Sequence, residues 1–103
     1  MIKSIAVFCG SGKGLNAEYE NAAKELGAFL SQQKIRLIYG GGNIGLMGII
    51  ADSVIQHGGE VTGVIPGFLM QKEVGHTGLT ELIIVDTMHQ RKQIMCDRSD
   101  AFI

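Results

Sequence analysis

Short apolar runs, each closed by glycine or by a polar turn, alternate along the chain with segments whose apolar residues recur at helical spacing. The runs are "SIAVFC" at 4–9, "IRLIY" at 35–39, "EVTGVI" at 60–65, "LIIV" at 82–85 and "DAFI" at 100–103. Runs this short and this uniformly apolar suit strands buried on both faces, which a parallel sheet under helices requires. Between the first two, Tyr19, Ala22, Ala23, Leu26, Phe29 and Leu30 make a helical stripe, with Asn16 as N-cap and Glu18 and Glu20 in the first turn. A second stripe, Leu46, Met47, Ile50, Val54 and Ile55, is stopped by Gly58 and Gly59. Pro66 halts the third run, and 67–81 reads as loop, with Gly75 and Gly78 as breakers. Strand–helix alternation of this kind predicts βαβ crossovers, hence a doubly wound, three-layer α/β fold with a parallel sheet.

With 103 residues the chain holds one domain at most. It stops at Ile103 in or at the end of its fourth or fifth strand, with no helix after it. A parallel sheet needs both faces covered, so residues 1–103 are expected to be the N-terminal part of a longer domain, or to be covered by a partner. Nine Lys and Arg balance ten Asp and Glu, which leaves no electrostatic footprint for nucleic acid. No cationic amphipathic stretch suggests a membrane surface, and five apolar residues in a row near the start are too few for a signal core or a spanning helix. Cys9 and Cys96 lie far apart, without CxxC or His-bearing spacing. That predicts free thiols in a reducing cytoplasm and no metal site.

Fifteen glycines, about twice the average use, cluster where strands should end. In doubly wound sheets ligands bind at the carboxyl ends of strands, near the reversal of strand order. The loops "GSGKG" and "GGGNIGLMG" lie there, so Gly10 and Ser11 of the first and Gly41, Gly42 and Gly45 of the second are candidate substrate contacts. Free backbone N–H groups beside a helix N-terminus suit an anion such as phosphate. Equally, the glycines could serve only close packing and left-handed turns. Gly40, Gly42 and Gly45 spell G-x-G-x-x-G, with Glu60 at about the distance of a ribose-binding acid. An NAD site is nonetheless disfavoured, because the motif follows the second strand and Glu60 opens a strand instead of ending one. "GSGKG" is not a Walker A loop.

The segment "MHQRKQIMCDR" at 88–98, wound as a helix, places Met88, Arg91, Lys92 and Met95 on one face and His89, Gln90, Gln93 and Asp97 on the other. Two cations thus fall in a stripe that should be apolar. Their stems could lie on apolar surface with the heads in water, or an anionic ligand at the strand ends could offset the cost of burying them. Cys96 reads as inert packing, and His57 and His76 as surface residues. No Ser/His/Asp arrangement is present.

"VFCGSG", "YGGGNIGLMG", "GVIP", "MHQRKQIM" and "SDAFI", in this order and spacing, resemble the LOG (LONELY GUY) family of cytokinin-activating phosphoribohydrolases, which also carry a lysine-decarboxylase label. The resemblance spans essentially the whole chain. It implies a Rossmann-like fold, usually a dimer, and no cofactor. It also implies hydrolysis of the N-glycosidic bond of a nucleoside 5′-monophosphate, a cytokinin nucleotide or AMP, to free base and ribose 5-phosphate. By the same resemblance Arg91 is catalytic, Lys92 binds substrate and Glu73 of "KEV" contacts it. The family's P-G-G-x-G-T-x-x-E signature, with its phosphate loop and a carboxylate acting alongside Arg91, would begin two residues beyond Ile103. These 103 residues alone are therefore expected to be inactive or nearly so. The competing expectation is a non-catalytic nucleotide-binding or oligomerisation module. A pyridoxal-phosphate lysine decarboxylase would need a Schiff-base lysine and an acid for the ring nitrogen, a pairing not evident here.

Overall fold

A computed structural model describes residues 2–8 and 17–103. Its elements run β1 (Ser4–Ala6), α1 (Ala17–Gln32), β2 (Arg36–Tyr39), α2 (Gly45–Gln56), β3 (Val61–Pro66), a 3-10 turn (Gly67–Leu69), β4 (Glu81–Val85), α3 (Met88–Asp97) and β5 (Ala101–Phe102). The five strands form one wholly parallel sheet in the order β4-β3-β2-β1-β5. The chain builds outward from β1 to β4, then returns past β1 to lay down β5. Strand order therefore reverses between β1 and β5, and the doubly wound fold expected from the alternating pattern is present.

Side-chain alternation splits the core into two layers. Ile5, Val7, Leu37, Tyr39 and Val61 face α1 and α2, meeting Ala23, Leu30, Met47, Ile50 and Val54. Ala6, Ile38, Val64 and Val85 face the other way, onto Met95 of α3. The α1 stripe is narrower than its spacing suggests: Tyr19, Ala22 and Phe29 are exposed, while Ala23, Gly27 and Leu30 pack inward. Gly27 admits α2 closely, since a Cβ there would lie 2.6 Å from Ser53 Cβ. Helix α2 ends as expected at Gly58, whose φ of +82° suits glycine.

Parallel strands need a crossover of about a dozen residues or more, and between β3 and β4 residues 67–80 supply it with no α-helix. This segment descends on the α1–α2 side, where Leu79 packs against the first core layer. Helix α3 starts from a capping box: Thr87 Oγ1 accepts from Gln90 N–H at 3.1 Å, and Gln90 Oε1 accepts from Thr87 N–H at 3.1 Å. At the far end of the sheet the Asp100 carboxylate accepts from the Lys3 and Ser4 N–H groups at 2.7 and 3.1 Å, tying β5 to the start of β1. These two bonds hold the Asp100 carboxyl below its ordinary value of 3.8.

Candidate active site at the strand ends

A cavity of about 750 Å³ opens at the carboxyl ends of β1 and β2, beside the reversal of strand order. Among the described residues, Val7, Phe8, Met47, Met88 and Met95 give it apolar walls, and Gly40, Glu73, His89, Arg91 and Lys92 also line it. An open apolar cleft with a few convergent polar groups is the usual form of a small-molecule site.

Arg91 is the centre of this arrangement. It comes from α3 on one face of the sheet, and its side chain crosses the strand ends to meet Glu73, carried by the 67–80 crossover. Arg91 Nη2 donates to Glu73 Oε1 at 2.7 Å, and the two side chains are only 10% and 11% exposed. Nε donates to the Val64 carbonyl at 2.9 Å, one residue past the last β2–β3 pair, Tyr39↔Gly63. Nη2 also donates to the Gly40 carbonyl. Nη1 reaches Met88 Sδ at 3.8 Å and no oxygen among the described residues.

The glycines make that crossing feasible. A Cβ on Gly40 would collide with the Arg91 guanidinium, lying 2.9 Å from Cζ, and one on Gly42 would come within 2.8 Å of the Glu73 carbonyl oxygen. Gly41 and Gly45 take φ of +79° and +62°, and Tyr39 Oη holds the turn by donating to the Gly42 carbonyl at 2.8 Å. The crossover is stitched to the same turn: Asn43 N–H donates to the Glu73 carbonyl at 2.8 Å, and His76 N–H to the Gly41 carbonyl at 2.9 Å. Close approach requires glycine at Gly40 and Gly42. Of this loop's glycines, Gly40 lines the cavity among the described residues. Gly10, Ser11, Asn16 and Cys9 lie outside the described residues.

The structure departs from the sequence reading at several side chains. Arg91 is buried but Lys92 is exposed on the cavity rim, so the two cations do not share an inward stripe. Much of the cost of burying Arg91 is offset by Glu73 and two carbonyls, with no external anion required. His89, placed by helical spacing on the polar side, lines the cavity because the opening lies beside the first turn of α3. His76 is buried, its Nε2 2.6 Å from Asp52 Oδ1 on α2. Its partner is 24 residues away on another element, so no local spacing announced it. Glu60 stands at the amino end of β3, bound to Arg36 at 2.8 Å and remote from the cavity, which removes the ribose contact a dinucleotide would need. Among the described residues no cluster of three His, Cys, Asp or Glu could hold a metal, and no helix is long and apolar enough to cross a membrane.

A doubly wound parallel sheet with an apolar, cation-rimmed cavity at its switch point defines the class: a Rossmann-like α/β protein with a candidate small-molecule site. The chain belongs to the family described as "Possible lysine decarboxylase", whose profile matches residues 47–103. It is 46% identical over 98% of its length to the cytokinin riboside 5′-monophosphate phosphoribohydrolase of Rhodococcoides fascians. It is 50% identical, again over 98%, to the probable cytokinin riboside 5′-monophosphate phosphoribohydrolase LOG6 of Arabidopsis thaliana. The likeness to LOG-type proteins read from the motifs therefore holds. The chain spans about half of these relatives, 52% and 50% of their lengths. The solved Moco carrier protein of Chlamydomonas reinhardtii superposes with a TM-score of 0.75 at 26% identity, covering 97% of this chain and 60% of that one.

Proposed function

We propose that the protein built on this chain hydrolyses the N-glycosidic bond of a nucleoside 5′-monophosphate, a cytokinin nucleotide or AMP, with Arg91 and Glu73 at the reacting end of the cavity. The observation that carries the reading is the buried Arg91–Glu73 pair at the switch point. It sits in a chain 46–50% identical to proteins named for that reaction, against 26% to the carrier. In the reaction a water oxygen bonds to the sugar's C1′ while the C1′–N bond breaks. Its electron pair leaves with the base, which takes up a proton, and positive charge develops on the sugar. Stabilising such charge is carboxylate work, as in glycoside hydrolysis.

The rim supplies recognition of the anion. Lys92 and His89 offer donors for phosphate, and Arg91 Nη1, bonded only to sulfur, can exchange Met88 for a substrate oxygen. Glu73 is the one carboxylate among the described lining residues, and it is held by Arg91. The carboxylate that the family's P-G-G-x-G-T-x-x-E signature sets alongside Arg91 is not among the 103 residues, which by themselves therefore bind nucleotide without appreciable turnover. Self-association belongs to the same reading, supported by the half-exposed rings of Phe8 and Phe102 and by exposed Ile103 at the sheet's β5 side.

The test is product chromatography after incubation with AMP and with an N6-substituted adenosine monophosphate. The protein from the full reading frame is compared with its Arg91→Lys variant and with the 103-residue chain. Release of free base and ribose 5-phosphate by the full protein, lost in the variant, is expected. No release by the full protein with either nucleotide refutes the reading, and binding without release would favour a nucleotide-holding module.

A further inference from the structure

We propose that His76 and Asp52 form a positioning clamp that holds the Glu73 carboxylate, and through it the Arg91 guanidinium, in register with the cavity. This inference rests on the hydrolase reading for its kinetic consequence, although the clamp itself is a structural claim. The crossover that carries Glu73 has little regular structure of its own. Val74, the next residue, is half-exposed with a φ of +50°, a conformation that β-branched residues disfavour. A segment in that state persists only where its surroundings fix it.

The fixing is done on the α2 side. Gly78 N–H, which can only donate, points at His76 Nδ1 at 2.9 Å. Nδ1 must then be the acceptor, so the ring is neutral and its proton sits on Nε2. That proton is directed at Asp52 Oδ1, 2.6 Å away. The ring is 9% exposed and fully committed, whereas Asp52 is 52% exposed on the outer surface of α2. A carboxylate holding an imidazole's tautomer and orientation is a recurrent way to fix a functional group at one remove. Here the imidazole fixes a loop. His76 N–H on the Gly41 carbonyl and Asn43 N–H on the Glu73 carbonyl pass the restraint to the residue that meets Arg91. Neither His76 nor Asp52 lines the cavity, so both are positioning residues.

The experiment uses the full-length protein and two variants, Asp52→Ala and Asp52→Asn. Position 52 is exposed on a helix, where alanine is compatible with the helix itself. In Asp52→Ala, hydrogen exchange at the Asn43 and His76 amides should accelerate while the α1 and β2 amides stay protected. Its kcat should fall at least about tenfold with KM within about twofold, as expected of misplaced groups rather than lost binding. Asp52→Asn, whose amide oxygen still accepts the Nε2 proton, should restore both. Unchanged exchange and unchanged kcat in Asp52→Ala overturn the proposal. So does exchange that rises uniformly over the chain, which would mark general support of the fold. If the wild type hydrolyses neither nucleotide, the hydrolase reading fails separately. The exchange pattern then still decides the clamp, local loosening upholding it and no change rejecting it.

Discussion

Replacing Glu73 by Ala should destabilise the chain far more than a loop position ordinarily would. The substitution leaves the Arg91 guanidinium buried beside an apolar methyl group. Removing one partner of a buried ion pair costs about 3–5 kcal/mol, because the survivor has lost water without keeping its counter-charge. Arg91 retains the Val64 and Gly40 carbonyls, which places this case at the lower end, about 3 kcal/mol. Glu73→Gln keeps an acceptor for Nη2 but loses the charge, and should cost about half as much. Urea unfolding followed by circular dichroism reads the difference. At a slope near 2 kcal/mol per molar, the Ala midpoint falls by about 1.5 M, and a variant unfolded without urea would meet the same expectation. An Ala midpoint within about 0.3 M of the wild type would refute the reasoning. It would mean that water reaches the guanidinium and the pair is not a buried one.

Gly40→Ala forces a methyl group against the guanidinium, so it should cost about 1–3 kcal/mol by overpacking in the same urea assay and abolish hydrolysis in the full protein. Thr87→Ala removes the side-chain half of the α3 capping box and should lower stability by about 1 kcal/mol. Asp100 titrates lower in the folded chain than its ordinary 3.8, so its contribution is present above that value and is lost as pH falls through the folded value. Asp100→Asn should therefore flatten the acid side of a stability-versus-pH curve measured by thermal melts. Lys92→Ala should leave the melting temperature unchanged, since Lys92 is exposed. It should also weaken nucleotide binding in titration calorimetry and reduce the dependence of binding on salt.

Strand and helix order was legible because parallel strands buried on both faces leave uninterrupted apolar runs, and "IRLIY" and "VTGVI" are such runs. The capping box at Thr87 and Gln90 is also written in the sequence, as a Thr followed three residues later by Gln, a signal separate from apolar spacing. The site was legible only in part. Helical spacing brought Arg91 inward with Met95, but a stripe drawn wide enough to hold Met88 also took in Lys92, about 100° around the helix from Arg91. Glu73 and His76 sit in a crossover without periodicity, and their partners lie 18 residues ahead on α3 and 24 residues behind on α2. A pairing between elements leaves no mark on spacing. Glu73 was reached through the resemblance of "KEV" to a family, and His76 was not reached at all.

In the proposed reading one guanidinium serves both the fold and the reaction, and this governs how any variant at the site is to be interpreted. Arg91 links the end of β2, the middle of β3 and the crossover through Gly40, Val64 and Glu73. Three of its N–H bonds are thus committed before a nucleotide arrives. Loss of activity in Arg91→Ala would follow equally from a collapsed strand end and from a missing catalytic group. Arg91→Lys is more informative, because it keeps the charge near Glu73 while a single ammonium cannot reproduce the planar fork that spans two carbonyls and a carboxylate. Lys92, one residue on, is exposed and carries no hydrogen bond or ion pair among the described residues, so a contribution to nucleotide recognition can be measured there without disturbing the fold. The ratio of the two effects separates the electrostatics of the rim from the geometry of the interior. If Lys92→Ala weakens binding while Arg91→Lys spares binding and stops turnover, the division of labour between exposed and buried cation is the one this cavity requires.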